Sequence, residues 1–183
     1  VALAHGHLAL GGLEGPALER LDHGVDVTLA LGDRLGRTGV GHAVDDLHER
    51  AGSKNAAHMH GELLSARCLA CGQAHEWRDD LSHGPACPAC GEAQLRPDIV
   101  WFGEIPHHMG RIEEALRSCD LFAAVGTSGV VYPAAGFVAV ASDAGARTAE
   151  LNLKASGVSW LFDEAYEGPA TQVVPEWVAT LLN

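Results

Sequence analysis

"DLFAAVGTSGVVYPAAGFVAVASDAGARTAELNL", residues 120–153, is the stretch that decides the fold. Leu121–Val125 is an unbroken apolar run of strand length. Runs without polar alternation belong to parallel strands buried on both faces. The run ends in the turn Gly126-Thr127-Ser128-Gly129. The pattern then predicts a helix from Pro133 to about Ala144 and a second strand over Arg147–Leu151. Strand, helix, strand is a βαβ unit, whose crossover is expected to be right-handed and whose ligand is expected beyond the strands' carboxyl ends. The fold class is α/β with a parallel sheet.

The flanking segments extend this reading. Toward the C-terminus, "PATQVVPEWVATLL" (169–182) predicts a helix that packs Trp177, Val178, Leu181 and Leu182 on the core. Toward the N-terminus, "HHMGRIEEALRSC" (107–119) puts Met109, Ile112, Ala115 and Leu116 on one helical face. "DIVWFGE" (98–104) is β-rich and predicts a strand, while residues 64–95 predict short β pieces at most. "AVDDLHERAG" (43–52) predicts a short helix, with Asp45 and Asp46 near its positive end and Gly52 as its stop. Residues 1–42 differ: they contain no Ser, Asn, Gln, Lys, Ile, Met, Cys or aromatic residue. Within them, "PALERLDHGVDVTLALGDRL" (16–35) could hold a short helix and then a strand.

The chain has 183 residues, 47% hydrophobic and 20% charged, with a net charge of -12. That composition suits a globular core with a small added module. The acidic balance repels nucleic-acid phosphates and anionic lipid, and would attract a basic protein. No run is long and apolar enough for a membrane span, and no secretory leader is evident, so a cytoplasmic location is the expectation.

Cys68, Cys71, Cys87 and Cys90 read C-x2-C-x15-C-x2-C. Two such pairs can supply four thiolates to one zinc ion, and in a reducing compartment this outweighs disulfides or unligated thiols. Gly72 and Gly91 permit a tight turn after each pair, and Pro88 stiffens the second. Four protein ligands leave no position for water or substrate, so the expected zinc is structural. Cys119 reads as a buried thiol. In "NAAHMHGELLSARCLACGQ" (55–73), His58 and His60 are then not needed as ligands. On residues alone, a structural histidine is the favoured reading of His60, and the 126–129 turn reads equally as a plain strand-to-helix connection.

The motifs in order change that balance. "VDDLHERAG" (44–52), "HMHGEL" (58–63), the paired C-x-x-C, "LRPDIVWFGE" (95–104), "VGTSGVVYPAAGF" (125–137) and "ELNL" (150–153) together resemble the sirtuin family, in particular its bacterial NAD-dependent protein deacylases. The resemblance runs from about Val44 to the C-terminus. It implies a protein-lysine deacylase of the deacetylase/desuccinylase type that passes the acyl group to ADP-ribose and releases nicotinamide. The implied cofactors are NAD and one structural Zn2+, and the implied partners are acylated-lysine proteins. His60 matches the base that takes a proton from a ribose hydroxyl, a task suited to a neutral imidazole with an ordinary pKa of about 6.5. His58 matches a flanking position with no chemical role. Asp45, Gly126, Thr127, Ser128, Asn152 and Ala170 match NAD-binding positions: Asn152 lies at the adenosine ribose and Ala170 on the adenine side. Val100, Trp101, Phe102, Gly103 and Glu104 match the segment that pairs with the substrate peptide, with Val100, Trp101 and Phe102 walling the acyl-lysine tunnel.

The resemblance also implies a Rossmann-like parallel sheet, incomplete on its N-terminal side. A sirtuin-like domain is expected over 44–183, with a zinc module inserted at 64–95. Nothing in the divergent segment 1–43 matches the family's "GAGxSxxSGIPDFR"-like loop, and the tyrosine-arginine pair of desuccinylases is not present. Where the family has "TQNxD", this chain reads Gly41-His42-Ala43-Val44-Asp45, and Ala43 offers no side-chain hydrogen bond to nicotinamide. An out-of-frame origin for residues 1–42 is the favoured reading, ahead of a divergent sirtuin with altered catalysis. Either leads to the expectation of an uncovered sheet edge and poor stability. The alternative functions are a catalytically impaired remnant, a non-catalytic zinc-ribbon binding protein, and an ADP-ribosyltransferase-like use of the same cleft.

Overall fold

The computed structural model describes residues 27–32, 36–41, 44–50, 52, 53 and 55–181. In chain order the elements begin with β1 (Val27–Gly32), β2 (Gly36–Gly41), α1 (Leu47–Arg50) and β3 (Ala56–His58). Next come β4 (Gly61–Cys68), β5 (Ala74–Glu76), β6 (Leu95–Ile99) and α2 (Met109–Ser118). The last are β7 (Leu121–Val125), α3 (Phe137–Asp143), β8 (Arg147–Asn152), β9 (Glu164–Glu167) and α4 (Ala170–Leu181). They form a six-stranded sheet in the order β3-β2-β1-β7-β8-β9 and a three-stranded sheet in the order β5-β4-β6.

The βαβ unit is the centre of the large sheet. Successive strand residues point to opposite faces, so an apolar run can fill two cores at once. In β7, Phe122 and Ala124 pack with Ile112 and Leu116 of α2 and with Phe137, Val138 and Ala141 of α3. Ala123 and Val125 pack on the other face with Ala149 and Leu151 of β8 and with Val174, Trp177 and Val178 of α4. Burial of each large apolar side chain contributes roughly 1.5–3 kcal/mol. Among the residues expected on the two helices, Ile112, Ala115, Leu116, Trp177 and Val178 are buried. Leu182 lies outside the described residues.

Strands β7, β8 and β9 are parallel, as are β2 and β3, which accords with the expected α/β class. β1 runs antiparallel to both β2 and β7. Because it reverses direction relative to both neighbours, every other strand of this sheet runs the same way. The sheet is therefore mixed, and β1 pairs the edge of β7 that faces away from β8. Backbone N–H and C=O groups left along that edge find partners in the strand-forming end of the 16–35 segment. The helix expected earlier in that segment lies outside the described residues.

The strand expected at 98–104 is displaced. β6 stops at Ile99, because residues 101–104 close a turn in which the Glu104 N–H donates to the Trp101 carbonyl at 2.9 Å. β4 is longer than the short β pieces expected, spanning eight residues and pairing with β5 and β6. The polar and apolar residues of β4 do not alternate regularly, and its register with β6 shifts between Glu62 and Ala66. Such a bulge hides a strand from a period-two reading. Among the described residues no helix is long and apolar enough to cross a membrane.

Candidate functional site

Strand direction brings most of the singled-out residues to one edge of the large sheet. Asp45 follows β2, His60 follows β3, Gly126 follows β7, Asn152 ends β8 and Ala170 opens α4 after β9. All five therefore lie at or just beyond the carboxyl ends of same-sense strands, where α/β sheets take ligands. Asp45 caps α1, its Oδ1 accepting the Leu47 N–H at 3.1 Å.

The 126–129 turn is tightly fixed. The Gly126 N–H donates to the Leu151 carbonyl at 3.0 Å, and the backbone there has φ +67°. Gly129 has φ +66°, and a Cβ on it would lie 2.4 Å from Val158 Cγ2, so this position admits glycine alone. Asn152 Nδ2 donates to the Thr127 carbonyl at 2.6 Å, and the Gly129 N–H reaches Thr127 Oγ1 at 3.3 Å. Ser128 is exposed at the tip. Beneath it the buried Glu150 carboxylate accepts from the Ser156 N–H at 3.2 Å, from Asn152 Nδ2 at 3.5 Å and from the Ser159 hydroxyl. Ala170 packs against the core cluster of Val125 and Leu151.

A cavity of about 510 Å3 opens between two loops. Its wall contains His60 and Val100–Glu104, together with Pro106, Val131, Tyr132 and Pro133. The structure thus joins His60 to the whole 100–104 segment. Asp45, Gly126–Ser128, Asn152 and Ala170 lie outside this wall. Val131–Pro133 were missed by sequence reasoning, although the "VVYP" that follows the glycine turn is an apolar run in a loop. Phe102 and Trp101 are 106% and 57% exposed, so the apolar wall is open to a partner.

The loop over the cavity is held by an ion pair. Arg96 Nη1 donates to Glu104 Oε1 at 2.5 Å and its Nη2 to the Ile99 carbonyl at 2.6 Å, while its guanidinium lies 4.2 Å from the centre of the Trp101 ring. Glu104 Oε2 also accepts the Trp101 N–H at 2.9 Å. Arg96, helped by that N–H, holds the Glu104 carboxyl down at about 2. The loop's ends are stapled to the histidine segment: the Val100 N–H donates to the His60 carbonyl at 2.9 Å and the His107 N–H to the Met59 carbonyl at 2.8 Å. His58 is buried, with its Nε2 3.0 Å from Glu49 Oε1.

The four cysteines form the one candidate metal group among the described residues, and neither His58 nor His60 belongs to it. Two identical knuckles present the thiols. The Gly72 N–H donates to the Cys68 carbonyl at 2.8 Å and the Cys68 N–H to the Gln73 carbonyl at 2.9 Å. Gly91, Cys87 and Glu92 repeat this at 2.9 Å for both bonds. Gly72 and Gly91 have φ +75° and +79°, as the turns require. The Sγ atoms of Cys68 and Cys90 are 3.7 Å apart, those of Cys71 and Cys87 3.8 Å, and all four lie within 4.8 Å of one another. A tetrahedron with Zn–S bonds of about 2.3 Å has edges of about 3.8 Å. The thiols therefore fit one zinc ion, which would be closed to other ligands and serve structure alone. The Cys71 N–H, with further help from neighbouring donors, lowers the Cys68 thiol to about 7 despite its desolvation, favouring the thiolate that binds metal.

Comparison with known proteins assigns the family. The Sir2 family model matches residues 37–133. The chain is 52% identical over 153 residues to an NAD-dependent protein deacylase of Pasteurella multocida, covering 83% of this chain and 64% of that protein. It thus spans less than two thirds of that relative's length. Among solved structures, a Sir2 homologue in complex with NAD superposes with a TM-score of 0.70 at 34% identity, covering 78% of this chain and 57% of the other. Sir2Af2 bound to a myristoylated histone peptide superposes with a TM-score of 0.63 at 32% identity, covering 76% and 62%. By the family match over more than half its length, set on the sheet edge and cysteine cluster described above, the chain belongs to the Sir2 family.

Proposed function

We propose that the protein is an NAD-dependent protein-lysine deacylase. The observation that carries this is the position of His60: it stands in the wall of the 510 Å3 cavity, facing Val100–Glu104, and lies on the same sheet edge as the Gly126 turn. The deacylase name of the Pasteurella relative and the NAD and acyl-peptide complexes of the two structural neighbours support it. When bound, NAD supplies the ADP-ribosyl group that accepts the acyl chain, with nicotinamide leaving.

This chain's own residues hold, orient and shield. The Gly126 turn offers the Thr127 and Ser128 N–H groups and the Ser128 hydroxyl at a strand's carboxyl end, and Asn152 keeps that turn in place through the Thr127 carbonyl. Asp45 and Ala170 flank the same edge. His60 takes a proton from a sugar hydroxyl brought beside it. Val100, Trp101 and Phe102 form an apolar wall for an acyl-lysine, and an extended peptide meets the 100–104 loop through main-chain groups that its turn does not use. Main-chain pairing accepts many sequences, which suits a range of acylated proteins as substrates. The acidic chain favours basic peptides, and the four thiolates favour a reducing compartment such as the cytoplasm.

The test is mass spectrometry of an acetylated peptide incubated with the protein and NAD. The expected product is O-acetyl-ADP-ribose, lost in His60→Ala while bound zinc and the melting transition persist. ADP-ribose attached to protein, or no product from the unaltered chain, refutes the proposal.

A further inference from the structure

We infer that Arg67, Asp98 and His107 form a polar bridge that couples the four-cysteine knuckles to the loop walling the cavity, with Asp98 as its positioning residue. The inference goes beyond the proposed activity and rests on it only in treating the cavity as the substrate seat. The bridge is continuous. Arg67 precedes the first ligand cysteine, and its Nη1 donates to the carbonyl of Gly72 at 3.0 Å, inside the first knuckle. Its other face makes a two-pronged contact with Asp98: Nε to Oδ1 at 2.7 Å and Nη2 to Oδ2 at 3.0 Å. Asp98 is buried on β6, two residues before the loop begins. Its Oδ1 also accepts from His107 Nε2 at 3.2 Å, at the far end of that loop. The His107 N–H then holds the Met59 carbonyl, next to His60.

Each link limits movement. A planar guanidinium engaged on both edges cannot turn without breaking two charge-assisted bonds. The carboxylate it holds is buried, and beside Arg67 and His107 it meets the Ser65 hydroxyl, 3.4 Å from Oδ2, so water does not replace a lost partner. Loosening the knuckle therefore moves Gly72 and Arg67 together, and Asp98 passes the displacement through His107 to the far end of the 100–106 loop, the near end being pinned by the Val100 bond to His60. Outer-shell donors of this kind orient metal ligands as well. Metal occupancy would in this way set the shape of a cavity in whose wall none of the four cysteines stands.

The experiment uses the full chain labelled with 5-fluorotryptophan and read by fluorine NMR, with zinc itself as the probe. Trp77 reports the small sheet, Trp101 the cavity loop, and the buried Trp177 the core, each assigned by a Trp→Phe replacement. Stripping zinc from the unaltered chain is expected to shift Trp77 and Trp101 and to leave Trp177 in place. In His107→Leu, which keeps the Arg67–Asp98 pair, Trp77 should still shift on stripping while Trp101 no longer follows. His107→Gln, whose amide can donate to Asp98, should restore the response, and Asp98→Asn should weaken it. With acetylated peptide, His107→Leu is expected to lower kcat/KM by up to about a hundredfold, chiefly through KM. The inference is overturned if the chain holds no zinc. It is also overturned if Trp101 ignores stripping in the unaltered chain, or still follows it in His107→Leu. If the unaltered chain turns over no peptide, the deacylase proposal fails, while the fluorine signals still decide the coupling.

Discussion

Replacing Gly61 by alanine strikes the joint between His60 and the cavity loop. Gly61 opens β4 with φ +89° and faces Ile99 of β6. A Cβ built there would lie 1.9 Å from the Asp98 carbonyl oxygen, 2.8 Å from its carbon and 2.9 Å from Ile99 Cα. All three atoms are backbone, so no side chain can swing aside. Close C–H···O contacts between strands keep about 3.3 Å, so β4 and β6 must part by roughly 1.4 Å. The left-handed backbone costs about 1–3 kcal/mol for a residue with a Cβ. Parting the strands breaks the Val100-to-His60 bond and the adjacent pairing, at about 1 kcal/mol each. The total of roughly 3–5 kcal/mol corresponds to a fall in Tm of about 6–20 °C for a chain of this size. Thermal unfolding followed by circular dichroism measures this. Turnover at a temperature where the variant is still folded should fall further, by about a hundredfold, because His60 and the 100–104 wall lose their alignment. A Gly61→Ala protein that melts within about 2 °C of the parent and turns over normally would refute the reasoning.

Three other outcomes are expected. Chelation after thiol modification should release one zinc per chain, read by a colorimetric metal indicator; Cys68→Ser or Cys87→Ser should lose the metal, because each removes a vertex of the tetrahedron. Glu104 has its folded-state pKa lowered from 4.5 to about 2, so its pairing with Arg96 is fully present above about pH 4.5 and is lost as pH falls toward 2. Trp101 emission should change across that acid window and stay flat there in Glu104→Gln; a change centred near neutrality in the parent would contradict the assignment. Asn152→Ala removes the bond to the Thr127 carbonyl, worth about 1 kcal/mol, so the Kd for NAD measured by calorimetry should rise about fivefold. An unchanged Kd would show that the turn holds itself.

Burial on two faces was legible in the sequence wherever it was local. Leu121–Val125 announced a doubly covered strand, and Phe122 and Val125 do face different clusters. The face of α2 was equally plain, because its apolar residues recur at helical spacing. The cysteine knuckles were legible because each needs only a C-x-x-C and a following glycine. The end of β6 was not, since Val100–Phe102 are as strand-prone as residues that do pair. What stops the strand is the Arg96–Glu104 pair, which folds the chain into a turn.

The sequence by itself determined the α/β class, the paired metal knuckles and the resemblance that singled out His60. These signals lie within a turn, a strand or a helix, where neighbours in the chain are neighbours in space. Only the tertiary structure decided that β1 runs against its neighbours, that Val131–Pro133 join His60 around one cavity, and that Arg67 meets Asp98 across 31 positions of chain. An arginine and an aspartate so far apart carry no mutual mark in a linear text, because their pairing depends on how two strands align and on a bulge between them.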